Sequence, residues 1–124
     1  MVMTAREAAW TALQRWRKNG AWSDAALNAV LQSAQLEPRD AALCQRIVRS
    51  TVQNLTYIDY VIGLWCSTPV KKLERTVLDI LRISAAQLLF LDRVPASAAV
   101  NEGVNLCRER GKARAAGLVN GVLR

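Results

Sequence analysis

Apolar positions recur at helical spacing along most of the chain. From residue 4 to 18, Ala5, Ala8, Ala9, Ala12, Leu13 and Trp16 follow the i, i+3, i+4 rule for one helix face. Gly20 ends that pattern, and Ser23 is placed to cap a second helix with the stripe Leu27, Val30, Leu31 and Ala34. Pro38 suits the first turn of a third helix, whose apolar face holds Leu43, Cys44, Ile47, Val48, Thr51, Val52 and Leu55. Asn54 and Thr56 mark a break, with Thr56 expected to cap a fourth helix that runs to about Trp65. The stretch STPVKK reads as a loop, because Thr68 precedes a proline and so disfavours helix. From Leu73 to Leu91 the chain is apolar almost all round, with Asp79, Arg82 and Gln87 as its main polar marks. That pattern predicts a central helix buried on most sides. Pro95 opens the next helix, which reaches about Arg110 before Gly111 ends it. Ala115, Leu118, Val119, Val122 and Leu123 pattern the last one.

Seven helices, short connections and no convincing strand predict an all-α, compact bundle in a single domain over residues 1–124. Composition agrees. Apolar residues are 52% of the chain, enough for a packed core, and only three prolines and six glycines interrupt it. Arg6, Glu7, Arg15 and Arg17 break up any secretory h-region at the start, and the longest apolar stretches carry charges. The expectation is a cytoplasmic protein with no membrane partner.

The residue inventory removes most catalytic chemistry. There is no histidine, so ordinary zinc sites and histidine-based triads are excluded. Cys44, Cys66 and Cys107 are too widely spaced for a CxxC pair and read as small buried hydrophobes in a reducing compartment. No glycine-rich loop follows a strand to cradle a phosphate. Neither a cofactor nor a metal is expected in this chain. The Gly117-to-Gly121 spacing reads, outside a membrane, as a site of close helix packing.

Charge changes the picture. Seventeen basic against ten acidic side chains give a formal net charge of +7, an excess that attracts polyanions, nucleic acid above all. Residues 1–62 contribute +2 of it and residues 63–124 contribute +5. On the first helix, Arg6, Trp10 and Arg17 lie near one side, where an arginine and an aromatic could bind a phosphate and stack a base. The alternative is that Trp10 packs into a neighbouring helix. Arg15 and Lys18 add charge to the same helix. Arg39, Arg46 and Arg49 share a side of the third helix, Lys71 and Lys72 sit in the loop before Arg75, and Arg108, Arg110, Lys112 and Arg114 cluster around Gly111. The candidate RNA-binding set is Arg6, Arg15, Lys18, Arg46, Arg49, Lys71, Lys72, Arg108, Arg110, Lys112 and Arg114.

The segment VPASAAVNEG (94–103) places polar groups on an otherwise apolar helix. Asn101 borders the apolar face, Glu102 points further round, and Asn120 holds a similar border position on the last helix. These amides are expected to tie helices together by hydrogen bonds, with Ala98, Ala99 and Gly103 permitting close backbone approach.

AREAAWTAL (5–13), ISAAQLLFLDRVPASAAVNEGVNLCRERG (83–111) and AGLVNGVLR (116–124) resemble the NusB-like helical domain over essentially the whole chain. Within that superfamily, LDRVPASAAVNEGV is most similar to the N-terminal domain of RsmB-type (Fmu/Sun) small-subunit ribosomal RNA cytosine-5 methyltransferases. The resemblance implies a seven-helix RNA-binding module that precedes an S-adenosylmethionine-binding catalytic domain, expected after residue 124. Arg6 matches an RNA-contacting arginine of the family, and Asn101, Glu102 and Asn120 match its signature positions. Ser97, Ala86 and Leu118 depart from a common histidine, tyrosine and phenylalanine. Expected partners are ribosomal RNA and the intramolecular methyltransferase domain, with a ribosomal protein or self-association as further options. A stand-alone antitermination factor that binds boxA-like RNA with a ribosomal protein is the alternative, and a helical protein-interaction module a third.

Overall fold

A computed structural model describes residues 3–19, 24–112 and 115–123. These residues form seven α-helices and no strand: α1 (Ala5–Asn19), α2 (Asp24–Ala34), α3 (Pro38–Gln53), α4 (Leu55–Trp65), α5 (Arg75–Phe90), α6 (Ala96–Glu109) and α7 (Ala116–Leu123). No helix among them is long and apolar enough to cross a membrane.

Local chemistry sets the helix ends. Thr4 and Glu7 form a reciprocal capping box: the Glu7 amide donates to Thr4 Oγ1 and the Thr4 amide to Glu7 Oε1, each at 3.1 Å. Pro38 occupies the first turn of α3. The break at Asn54 is present, but α4 begins at Leu55, so Thr56 lies inside the helix and does not cap it. The STPVKK loop contains one 3₁₀ turn, Val70–Lys72, because the last residues before α5 tighten into i→i+3 bonds. Gly111 ends α6 at φ +74°, where the Lys112 amide donates to the Cys107 carbonyl at 2.9 Å and the Gly111 amide to that of Arg108 at 3.2 Å. This pairing is a Schellman stop, which favours glycine. Gly20 and Ser23 lie outside the described residues.

Helix α5 is the axis of the bundle, packing against α1, α3, α4, α6 and α7. Every residue from Val77 to Gln87 on it is buried. The predicted stripes face inward: Ala5, Ala8, Ala9, Ala12 and Leu13 of α1 join Leu27 and Val30 of α2 and Cys44, Ile47 and Val48 of α3. Small residues on α1 bring it close to α3, with which it packs extensively. All three cysteines are free and buried.

The close approach predicted for α6 is made at Gly103. A Cβ there would stand 2.7 Å from Ser84 Oγ of α5, so only glycine fits without movement. The Gly117–Gly121 pair does not do the same. Both residues are exposed, and a Cβ on either would meet nothing within 4 Å, so neither makes a close helix contact.

Candidate functional site

The polar marks on α5 prove to be the centre of an interior ion cluster. Asp79 has a side-chain exposure of 0%. Its Oδ2 accepts from Gln14 Nε2 at 2.6 Å and from Arg17 Nε and a terminal nitrogen at 3.0 and 2.5 Å. Its Oδ1 accepts from Arg82 at 3.0 Å, and Arg82 also makes a two-point fork, at 2.8 Å each, to Asp59 of α4. The fork geometry matches guanidinium to carboxylate and satisfies both groups. Burial alone would pull Arg82 down, but hydrogen bonds and charge from Asp59, together with Asp79, outweigh it and hold the guanidinium above its ordinary pKa. One turn further along α5, Gln87 accepts from Arg6 Nε at 3.0 Å and donates to the Ile83 carbonyl. Sequence reasoning singled out these α5 residues without finding their partners. The signal was there: a carboxylate and a guanidinium three residues apart on a helix buried on all sides must be neutralised.

Two more cations of the candidate set are held by contacts within the fold. Arg110 lies 4.5 Å above the Trp10 ring and 3.5 Å from Glu7, and the Trp10 indole donates to the Thr76 carbonyl at 3.4 Å. Trp10 therefore packs into its neighbours, and one of its faces is covered by a guanidinium. Lys112 pairs with Glu74 at 2.5 Å. Arg6 thus ties α1 to α5 and Arg110 ties the end of α6 to α1, while Lys112 joins the turn after α6 to the residue before α5.

The remaining candidates face outward. Arg15 of α1, Arg46 of α3, Lys71, Lys72 and Arg108 of α6 are exposed, and among the described residues none has an ion-pair partner. Arg49 is exposed and engaged by a neighbour. Arg114 and the side chain of Lys18 lie outside the described residues. Arg15 and Arg46 belong to adjoining helices, α1 and α3.

The signature amides behave differently from expectation. Asn101 is exposed, Asn120 and Glu102 are half-buried, and among the described residues none makes a side-chain hydrogen bond. Asn101 and Asn120 instead line an open surface groove along the seam where α6 packs against α7. One part of the groove, about 460 Å³, is bounded by Asn101, Val104, Asn105, Arg108, Ala116, Gly117 and Asn120. The adjoining part, about 380 Å³, shares Asn101 and Asn120 and is closed by Ala96, Val100 and Leu123. A second feature is apolar: Tyr57, Tyr60, Leu64 and Trp65 of α4 are exposed, with Tyr57 leaning on Phe90 at 6.2 Å between rings.

Neither Cys44 nor Cys107 is primed for chemistry. Burial pushes the Cys44 thiol up to about 12. Burial, then the charge of Glu74, raises Cys107 against the opposing pull of Arg108 and Lys112, and its thiol donates to the Lys112 carbonyl.

This arrangement of helices around α5 has close structural counterparts. A chain in a crystal structure of antitermination factors NusB and NusE in complex with dsRNA superposes with a TM-score of 0.86 at 23% identity, over 96% of this chain and 89% of that one. The class is thus the NusB fold. The NusB family profile matches residues 3–124, and the chain belongs to that family. Within it, a protein of Bacillus subtilis (strain 168) described as a probable ribosomal RNA small subunit methyltransferase B is 33% identical over 121 residues, 98% of this chain. This chain spans only 27% of that relative's length. The transcription antitermination protein NusB of Coxiella burnetii (strain RSA 331 / Henzerling II) is 27% identical over 96% of this chain and 86% of its own.

Proposed function

We propose that this chain is an RNA-holding domain that presents small-subunit ribosomal RNA to a cytosine-5 methyltransferase domain of the same protein and performs no reaction itself. The observation that carries this reading is where the charge sits. Arg17, Arg82, Arg110 and Lys112 are matched by Asp79, Asp59, Glu7 and Glu74, so the charges paired within the fold cancel. The whole formal excess of +7 therefore falls on the remaining side chains, including Arg15, Arg46, Lys71, Lys72 and Arg108. A rigid, internally neutral bundle with an outward cationic excess is suited to phosphate backbones. The similarity to methyltransferase B along the full chain supports the ribosomal substrate. S-adenosylmethionine would belong to the partner domain.

A second reading, a NusB-type antitermination factor that binds boxA-like RNA beside a ribosomal protein, is favoured by the 86% coverage of the Coxiella protein. Fluorescence anisotropy with a small-subunit ribosomal RNA fragment and a boxA-like RNA separates the two. The first reading expects tighter binding of the ribosomal fragment. Its affinity should fall on the order of a hundredfold between about 50 and 200 mM salt if five cations meet phosphates. Tighter boxA-like binding that a ribosomal protein strengthens would select the second. Unchanged affinity across that salt range, or after Arg15→Ala with Arg46→Ala, would refute the charge argument. The exposed aromatic face of α4 would then carry the function as a protein-docking surface.

A further inference from the structure

We infer that the groove between α6 and α7 is a receptor for one unpaired nucleobase, read by the carboxamides of Asn101, Asn105 and Asn120, with Arg108 taking the adjoining phosphate. The inference rests on the proposal that the domain binds RNA, and it names where a base would be recognised.

The amides of the groove are unspent. The interior amides Gln14 and Gln87 are committed to Asp79, Arg6 and Ile83. Asn101, Asn105 and Asn120 converge on one hollow, and among the described residues none has a hydrogen-bond partner. Each of these amides is open to solvent and so is available to an incoming ligand without breaking a contact of the fold.

The groove is also chemically complementary to a base. A carboxamide presents an acceptor and two donors in one plane, the pattern that matches the edge of a base. No carboxylate lines either part of the groove, and the one charged group is cationic. The adjoining part supplies Ala96, Val100 and Leu123, aliphatic surface against which a ring can lie. Each part falls within the usual range for small-molecule sites, about 300–1,000 Å³. Specific RNA recognition targets unstacked bases through such edges, whereas a duplex keeps its edges paired. Exposed cations elsewhere can hold a phosphate chain, and the groove sets neutral hydrogen-bonding groups and a cation beside a place for a base.

The groove is held open. Gly117 lies on its wall, and a Cβ there would meet nothing within 4 Å. A larger side chain at this position would fill the hollow without pressing on the core.

The test uses the wild-type chain and three variants with fluorescent homopolymeric single-stranded RNA 8-mers and a mixed-sequence duplex at fixed salt. Wild type is expected to favour one homopolymer over the others roughly tenfold, the scale of one well-made amide–base pair. The double variant Asn101→Ala/Asn105→Ala, and separately Gly117→Leu, should level that preference with the salt slope unchanged. Arg108→Ala should weaken all 8-mers alike and reduce the slope by about one. Circular dichroism checks each fold, and in wild type the side-chain amide resonances of Asn101, Asn105 and Asn120 should shift on adding the favoured 8-mer. Strong duplex binding with no homopolymer preference would overturn the base receptor and leave the RNA reading standing, as would a preference that survives both groove variants. No binding of any RNA at low salt would overturn both.

Discussion

Replacing Asp79 by asparagine tests the ion cluster most directly. The carboxylate has no solvent exposure and accepts from three residues on two helices: Gln14 and Arg17 of α1 through Oδ2, and Arg82 of α5 through Oδ1. An asparagine keeps one acceptor oxygen. Its amide nitrogen must face either Arg82 or the Gln14–Arg17 pair, donor against donor, and one guanidinium loses its counter-charge. Arg82 retains Asp59, but among the described residues Arg17 has no other acid. Breaking a buried pair from one side costs about 3–5 kcal/mol, a large share of the roughly 5–15 kcal/mol that holds a domain together. With a urea dependence of about 2 kcal/mol per molar, the unfolding midpoint should fall by roughly 2 M. Tryptophan fluorescence reports the transition, since Trp10 and Trp16 are half-buried on α1. Glu102→Gln is the control: it removes an equal charge where no partner is lost, and should stay within about 0.5 kcal/mol of wild type. Arg17→Met combined with Asp79→Asn should cost less than the two changes added, because they break one interaction. A loss under about 1 kcal/mol for Asp79→Asn would show that the cluster is solvated and would refute the reasoning.

Three further outcomes are expected. Gly103→Ala should destabilise by about 1–3 kcal/mol in urea titrations, and Ser84→Ala on the same chain should recover most of it by removing the 2.7 Å contact; no recovery would place the strain elsewhere. Gly111→Ala meets no neighbour, so its cost of about 1–2 kcal/mol would come from the left-handed backbone alone, and an unchanged midpoint would contradict that conformation. Cys44 stays neutral in the fold up to about 12 and ionises near 9 once unfolded, so the unfolded chain releases its proton first and stability falls as pH rises from 9 to 12, by about 1 kcal/mol per pH unit. Cys44→Ala should lessen that alkaline slope, and native Cys44 should resist a thiol reagent at pH 8 until urea exposes it.

The bundle was legible in the sequence because its signals are local. Pro38 and Gly111 fix φ or permit it within a single residue, and the apolar stripes of α1, α3 and α5 need only the helical period to be read. The ion cluster was not legible because its partners lie far apart along the chain: Arg17 meets Asp79 across 62 positions, and Asp59 meets Arg82 across 23. A list of basic residues cannot tell Arg6, tied to Gln87, from Arg15, which faces solvent, although both sit on one helix. The amides failed for the opposite reason. A border position on a helical wheel suggests a partner on the neighbouring helix, but Asn101 and Asn120 lie at the solvent edge of the α6–α7 seam, where they line a groove. The GxxxG spacing misled in the same way, since spacing does not say which side of α7 is turned to the core.

The contacts of α1 bear on how the chain matures during synthesis. Its long-range polar partners, Thr76, Asp79, Gln87 and Arg110, all belong to the second half of the sequence. At a translation rate of about 5–20 residues per second, α1 is made several seconds before any of them. The alanine-rich side of α1 therefore reaches its final surroundings only after α5 and α6 have followed it.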